Sequence, residues 1–226
     1  AKISKGDILL FVDSDVIIKK NALDLLDNKF IDKDINAIQG IYSHDPIYKS
    51  IAAQYQMSYN CYYIWPEKKK LATTLSTCCF AIRKEIFVDL KGFNTKIKRA
   101  SAEDEEFGYN LMEKGHKIII LRELNVEHRQ EYSISQYLRR NFNRYSDIMR
   151  QYLRNKTYTN KIKQGNYNNV FMGIPILGLI IMTGIFTIIF QIKIILYIFL
   201  ILNIIFLFLH AGLFKFIADT KGFSKA

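Results

Sequence analysis

The chain has 226 residues, half of them hydrophobic, and carries 32 Lys and Arg against 21 Asp and Glu for a net charge of +11. Its positives are scattered among negatives rather than gathered in a stripe, which argues against a nucleic-acid partner. The three cysteines, Cys61, Cys78 and Cys79, are odd in number and two are sequence neighbours, so they form no disulfide framework and suit a reducing compartment.

The charge is unevenly distributed. Residues 170–214 hold one charged side chain, Lys193, while residues 1–169 hold nearly all the rest. This break predicts a soluble domain followed by a membrane segment, and attraction to anionic headgroups then accounts for the excess of positives. Lys5-Gly6-Asp7 runs straight into the apolar Ile8–Val12, an odd start for a domain, so the chain reads as part of a longer protein.

In chain order, Ile8–Val12 is a strand ending in Asp13-Ser14-Asp15. Ala22–Phe30 has helical spacing of Leu23, Leu26 and Phe30, and Asn36–Tyr42 is a second strand. A helix rich in Tyr and Gln is predicted from Ile47 to Trp65, then a strand over Thr73–Arg83 and a short helix over Lys84–Leu90 stopped by Gly92. Ser101–Lys114 is a further helix and Lys117–Leu121 a strand, with Asn125–His128 closing it or starting a successor. Ser133–Leu153 is a long basic amphipathic helix whose Tyr137, Phe142, Tyr145 and Met149 pack or reach headgroup depth. Alternating strands and helices predict an α/β fold with a mainly parallel sheet, and ligands then sit at the carboxyl ends of its strands.

Val170–Phe190 and Ile194–Phe214 are two uncharged runs of 21 residues, each long enough to cross a bilayer. Gln191-Ile192-Lys193 joins them, which predicts a tight antiparallel hairpin. Lys161, Lys163, Lys215, Lys221 and Lys225 flank it, so the soluble domain is expected in the cytoplasm.

Two carboxylates at i and i+2 on a strand end, Asp13 and Asp15, can share Mg²⁺ or Mn²⁺, which would neutralise a diphosphate leaving group. The plainer alternative is that one of them caps the helix near Asn21. Glu103-Asp104-Glu105-Glu106 either settles a helix N-terminus through its dipole or supplies a general base. His128 completes a metal or phosphate site or is simply packed. Arg140 and Arg144 share a helix face with Arg139 beside them, and hold either a diphosphate or lipid headgroups. Lys68-Lys69-Lys70 reads as a surface loop. Tyr55, Tyr59, Tyr62, Tyr63 and Trp65 stack on a sugar or pack in the core.

The order of these pieces is more specific than any one of them. A strand ending in D-x-D is followed by Lys91-Gly92-Phe93-Asn94, Glu103-Asp104, a G-x-K strand from Gly115, Val126-Glu127-His128, a basic helix and apolar spans. This resembles the C-terminal part of family 2 glycosyltransferases, the inverting GT-A group of cell-envelope sugar transferases and cellulose, chitin and hyaluronan synthases. The resemblance implies a partial GT-A domain over 1–132, an interfacial helix and linker over 133–169, two transmembrane helices within 170–214 and a cytoplasmic tail over 215–226. Earlier βαβ units that hold the nucleobase are expected to precede Ala1.

By that resemblance, Asp13 faces the ribose or metal, and Asp15 ligates the Mg²⁺ or Mn²⁺ on the donor diphosphate. Gly92, Phe93 and Asn94 match the G-F-[DN] segment of the acceptor side, where Glu103 also belongs. Asp104 matches the catalytic base of the E-D pair, and His128 a histidine near the diphosphate. Gln136 and Arg139 match the Q and R of Q-x-x-R-W, but Arg140 stands where the family has Trp, which argues for transfer of one or a few sugars. Thr77-Cys78-Cys79-Phe80 lacks the small Gly common in that strand. The implied partners are a nucleotide-sugar donor, a glycan or lipid-linked acceptor and membrane lipids, at a plasma membrane with the catalytic domain cytoplasmic.

Two other readings compete. Ile8–Ile17 also fits the opening of haloacid-dehalogenase-type phosphatases, with Asp13 as nucleophile and Asp15 as acid/base, but nothing there explains Gly92-Phe93. A catalytically dead, membrane-tethered scaffold is the other, and the presence of both acidic motifs argues against it.

Overall fold

Apolar runs of strand length become the strands of one mixed sheet: β1 (Ile8–Val12), β2 (Val16–Ile18), β3 (Ala37–Tyr42), β4 (Cys79–Arg83) and β5 (Ile118–His128). The structure is a computed structural model that describes residues 1, 3–43, 50–64, 70–72, 74–95, 103–129, 131, 133–154 and 168–221, without the side chains of 145, 147–154, 168–175 and 221. Trp65, Lys68, Lys69, Lys161, Lys163 and Lys225, and the side chains of Tyr145 and Met149, therefore lie outside the described residues. Two compact units make up the chain, Ala1–Gln164 and Gly165–Ala226.

Strand order is β1-β4-β3-β5-β2. Only β3 and β5 pair in parallel; β1–β4, β3–β4 and β2–β5 are antiparallel. The expectation of a mainly parallel sheet is thus corrected. Strand–helix alternation does not fix direction: the long connection after β3 brings β4 back beside it in the opposite sense, and β2 reverses straight after β1. Because β1 and β3 both oppose β4, strands β1, β3 and β5 run the same way. Their carboxyl ends, and the amino ends of β4 and β2, consequently share one edge of the sheet.

Helices pack this sheet through small apolar stripes. In α1 (Ala22–Phe30), Ala22, Leu26 and Phe30 are buried at four-residue spacing, whereas Leu23 is 60% exposed. The Tyr- and Gln-rich helix α2 (Ile51–Tyr59) is capped by Ser50 and widens into a π-helical turn over Asn60–Ile64. Next come α3 (Lys84–Asp89), α4 (Glu103–Glu113) and the basic α5 (Ile134–Arg154). Rings of Phe11, Phe87, Phe93 and Phe107 meet with centroids 5.1–5.3 Å apart, tying β1, α3 and α4 into one core. β5 is a single strand of 11 residues that absorbs the expected successor, with a register shift opposite Gln39–Ile41.

The second unit contains α6 (Asn168–Phe190) and α7 (Lys193–Lys221), joined by Gln191 and Ile192 and packed on each other. Lys193–Thr220 is long and apolar enough to cross a membrane, and the described apolar part of α6, Ile176–Phe190, is shorter.

Gly40 lies where β3 is pinched between its neighbours. A Cβ there would come within 2.6 Å of the Leu124 carbonyl oxygen and 2.9 Å of Cys79 Cβ. Backbone on one side and a buried residue on the other leave no room to yield, so Gly40→Ala is expected to destabilise the domain by about 2 kcal/mol. A thermal melt unchanged from wild type would contradict this close approach.

Candidate active site

The shared edge of the sheet gathers the acidic motifs. Asp13 follows β1 directly, and Thr77 and Cys78 lead into β4. Thr77 Oγ1 donates to Asp13 Oδ1 at 3.2 Å. The backbone N–H of the same Thr77 points to Asp104 Oδ2 at 3.4 Å. Asp13 and Asp104, 91 positions apart in the chain, therefore meet at one residue.

Asp15 is placed by the β2–β5 pairing, in which Val16 stands opposite His128. Asp15 Oδ2 lies 3.4 Å from His128 Nε2, and the Asp15 carbonyl accepts from the Arg129 N–H at 2.6 Å. Burial lowers the pKa of His128, although Asp15 pulls the other way, so the ring is neutral at neutral pH and meets Asp15 as an N–H donor. The Tyr42 ring, from the end of β3, lies 4.9 Å from the His128 ring, and burial raises its hydroxyl pKa.

The two acidic groups nearest Thr77 are tuned by their surroundings. Burial raises Asp13 most, the Thr77 hydrogen bond opposes that rise, and the Asp15 charge adds to it. Asp104 is pushed up to about 7: burial dominates, Arg144 opposes it, and Glu105 and Glu103 add to it. A carboxyl that titrates near neutrality is suited to take a proton at physiological pH. Its Oδ1 accepts the Glu105 N–H at 2.8 Å. Glu105 itself is 3% exposed and its Oε1 accepts from Arg144 Nη2 at 3.1 Å, which ties α5 to the start of α4.

Other residues anticipated from the sequence have structural occupations of their own. Gly92 has φ +66°, and a Cβ on it would meet the Phe87 ring at 3.0 Å. Phe93 belongs to the aromatic core, and Asn94 Nδ2 donates to Glu106 at 3.0 and 3.2 Å. Glu103 stands one position ahead of Asp104 and is half-buried. Gln136 caps α5: its side-chain oxygen accepts the Ser133 N–H at 3.0 Å, and Ser133 Oγ accepts the Gln136 N–H at 3.3 Å. Arg139 and Arg140 both keep exposed surface, and Arg140 is close enough to enter the electrostatics of Asp13, Asp15 and His128.

Three residues of this edge were not anticipated as site residues: Thr77, Tyr42 and Gln39. Gln39 is fully buried, donates to the Ser76 carbonyl at 3.0 Å and the Cys79 carbonyl at 3.2 Å, and accepts the Ser76 N–H at 2.9 Å. The available signal was a glutamine inside the apolar run Ala37–Tyr42, since a buried amide must find partners.

Among the described residues no three His, Cys, Asp or Glu side chains converge as a ready-made metal cage. Asp13 and Asp15 still fit a cation that arrives with its ligand, because Mg²⁺ is commonly held by one or two carboxylates plus substrate phosphates. Burial is the main cause of the raised Asp13 and the Asp15 charge adds to it; such a cation would relieve that added repulsion.

Residues 2–146 match the family model described as "Glycosyltransferase like family 2", and the chain belongs to that family. No curated protein matches it significantly. The chain thus contains a transferase domain with an α/β fold, a mixed sheet and flanking helices, and a glycosyltransferase domain implies a nucleotide-sugar donor and an acceptor. Glu103 and Asp104 stand in the first turn of α4.

The raised Asp104 has a stability cost with a definite pH window. Its folded pKa lies above the unfolded value, so its contribution is favourable below about pH 4 and is lost as pH rises towards 7. Asp104→Asn removes the buried charge and keeps an oxygen acceptor. Its melting temperature is expected to equal wild type near pH 4 and to exceed it at pH 8, by a margin worth about 4 kcal/mol at most. Equal melting temperatures at both pH values would contradict the buried environment assigned to this carboxyl.

Proposed function

We propose that this protein transfers a sugar from a nucleotide-sugar donor to an acceptor hydroxyl with inversion, at a membrane, in the synthesis of a cell-envelope polysaccharide or glycolipid. The observation that carries the reading is the meeting of Asp13 and Asp104 at Thr77, a carboxylate for the donor beside a carboxyl that titrates near 7. Asp104 takes the proton of the acceptor hydroxyl, whose oxygen forms the new bond to the anomeric carbon. The bond from that carbon to the diphosphate breaks on the opposite face, and its electron pair leaves with the nucleotide.

Asp13 and Asp15 would hold a divalent cation, Mg²⁺ or Mn²⁺, and when bound it offsets the charge of the departing diphosphate. His128 orients Asp15. Arg140, rather than Arg139, is the cation of α5 best situated for the diphosphate, since it reaches the electrostatics of Asp13 and Asp15 while Arg144 is engaged by Glu105. Glu103 and the Gly92-Phe93-Asn94 segment sit towards the acceptor, a glycan or a lipid-linked molecule.

For the membrane, the reading is an antiparallel pair of spans, Val170–Phe190 and Ile194–Phe214, with Lys193 on the far side and the transferase domain cytoplasmic at the plasma membrane. Support comes from the length and apolarity of Lys193–Thr220 and from the positive residues flanking the pair.

Transfer by the full-length protein in membranes, assayed with radiolabelled UDP-, GDP- and dTDP-linked sugars, tests the chemistry. Asp104→Asn is expected to lower turnover by about a thousandfold, and wild-type kcat to climb with pH through a limb near 7, where the base loses its proton. An Asp104→Asn variant as active as wild type would refute the assignment. Topology is tested separately with Lys193→Cys: an impermeant thiol reagent added outside the cell should label it. Labelling from the cytoplasmic face alone would reverse the proposed orientation.

A further inference from the structure

We infer that Thr77 is a positioning residue for this reaction: its hydroxyl holds Asp13 in place for the donor, while its backbone N–H ties that hold to Asp104. The inference rests on the transferase reading above and adds a residue to it. The two contacts, 3.2 Å from Oγ1 to Asp13 Oδ1 and 3.4 Å from the N–H to Asp104 Oδ2, are long but converge on a single residue.

A residue in a loop can position others only if the loop itself is held, and residues 74–78 are held from two sides. From the sheet, Gln39 of β3 bonds both the N–H and the carbonyl of Ser76 and the carbonyl of Cys79. From the helix that carries Asp104, Gly108 admits Leu75, which is 1% exposed. A Cβ at 108 would come within 2.6 Å of Leu75 Cβ and 3.2 Å of its backbone nitrogen. Cys78, next in sequence to Thr77, has no exposed surface. Thr77 is half-buried, as is Ser76, in a segment whose other residues are buried, and its hydroxyl and N–H meet the two carboxylates.

The two contacts are chemically separable. The hydroxyl belongs to the side chain and the N–H to the backbone, so Thr77→Val removes the first, keeps the second and preserves shape, whereas Thr77→Ser keeps both. A residue that merely filled the loop would tolerate valine at least as well as serine.

The test is steady-state kinetics on the full-length protein with whichever UDP-, GDP- or dTDP-linked sugar the wild type turns over. Thr77→Val is expected to raise the donor KM about tenfold, the loss of one hydrogen bond to a charged group, with kcat within about threefold of wild type. Thr77→Ser should restore the KM, and Thr77→Val should add nothing to Asp13→Asn, because it acts through that carboxylate. Wild-type kinetics in Thr77→Val, a serine variant no better than valine, or additive losses in the double variant would each overturn the inference. Thr77→Ala takes the place of valine, with the same outcomes, should the valine variant not fold. A wild type inactive on every donor would overturn the transferase reading and this inference together.

Discussion

A buried amide is the constraint on which the rest of this domain depends. Gln39 sits in the middle strand of the sheet with no solvent exposure. Burying an amide without partners costs several kcal/mol, whereas a fully bonded one rigidifies what it touches. Its partners are the backbone groups of Ser76 and Cys79, so a segment that would otherwise be a surface loop becomes part of the sheet edge. Gly40, next in the strand, serves the same arrangement by letting β3 lie against Cys79 and the Leu124 carbonyl.

Strand direction then determines what meets at that edge. With β1, β3 and β5 running alike, Asp13, Tyr42 and His128 emerge together, and the incoming ends of β2 and β4 add Asp15 and Thr77. A uniformly parallel sheet would have sent the starts of β2 and β4 to the opposite edge. The antiparallel strands are therefore what complete the cluster.

Carboxyl groups outnumber cations in this cluster, although the chain as a whole is strongly basic. Burial pushes the pKa of both Asp13 and Asp104 upward. Thr77 opposes that at Asp13 and Arg144 at Asp104, so the two carboxyls are drawn down by different partners. Arg144 is held by Glu105, a buried carboxylate whose pairing with an arginine makes its burial tolerable. The basic helix α5 thereby does more than present charge to its surroundings: one of its arginines is fastened to the helix that carries Asp104.

The sequence by itself determined most of the elements and the chemical vocabulary, although it did not show β2 and began the strand that is Cys79–Arg83 at Thr73. Apolar runs and helical spacing placed Ile8–Val12, Ala22–Phe30, Ala37–Tyr42, Lys84–Asp89 and Glu103–Glu113 within a few residues, because burial periodicity is a local property of the chain. The ordered acidic motifs pointed to the family for the same reason, each being short and contiguous. What the sequence did not contain was strand direction, which a helix between two strands leaves open, or the nearness of Arg140 to Asp13 and Asp15, since one step along a helix turns a side chain by roughly 100°. Thr77 and Gln39 belong with these. Their importance lies in contacts across 27 to 64 positions of chain, from Thr77 to Asp104 and to Asp13, and 37 from Gln39 to Ser76. Only the closed sheet brings such distant polar groups to hydrogen-bonding distance, so only the tertiary structure decided them.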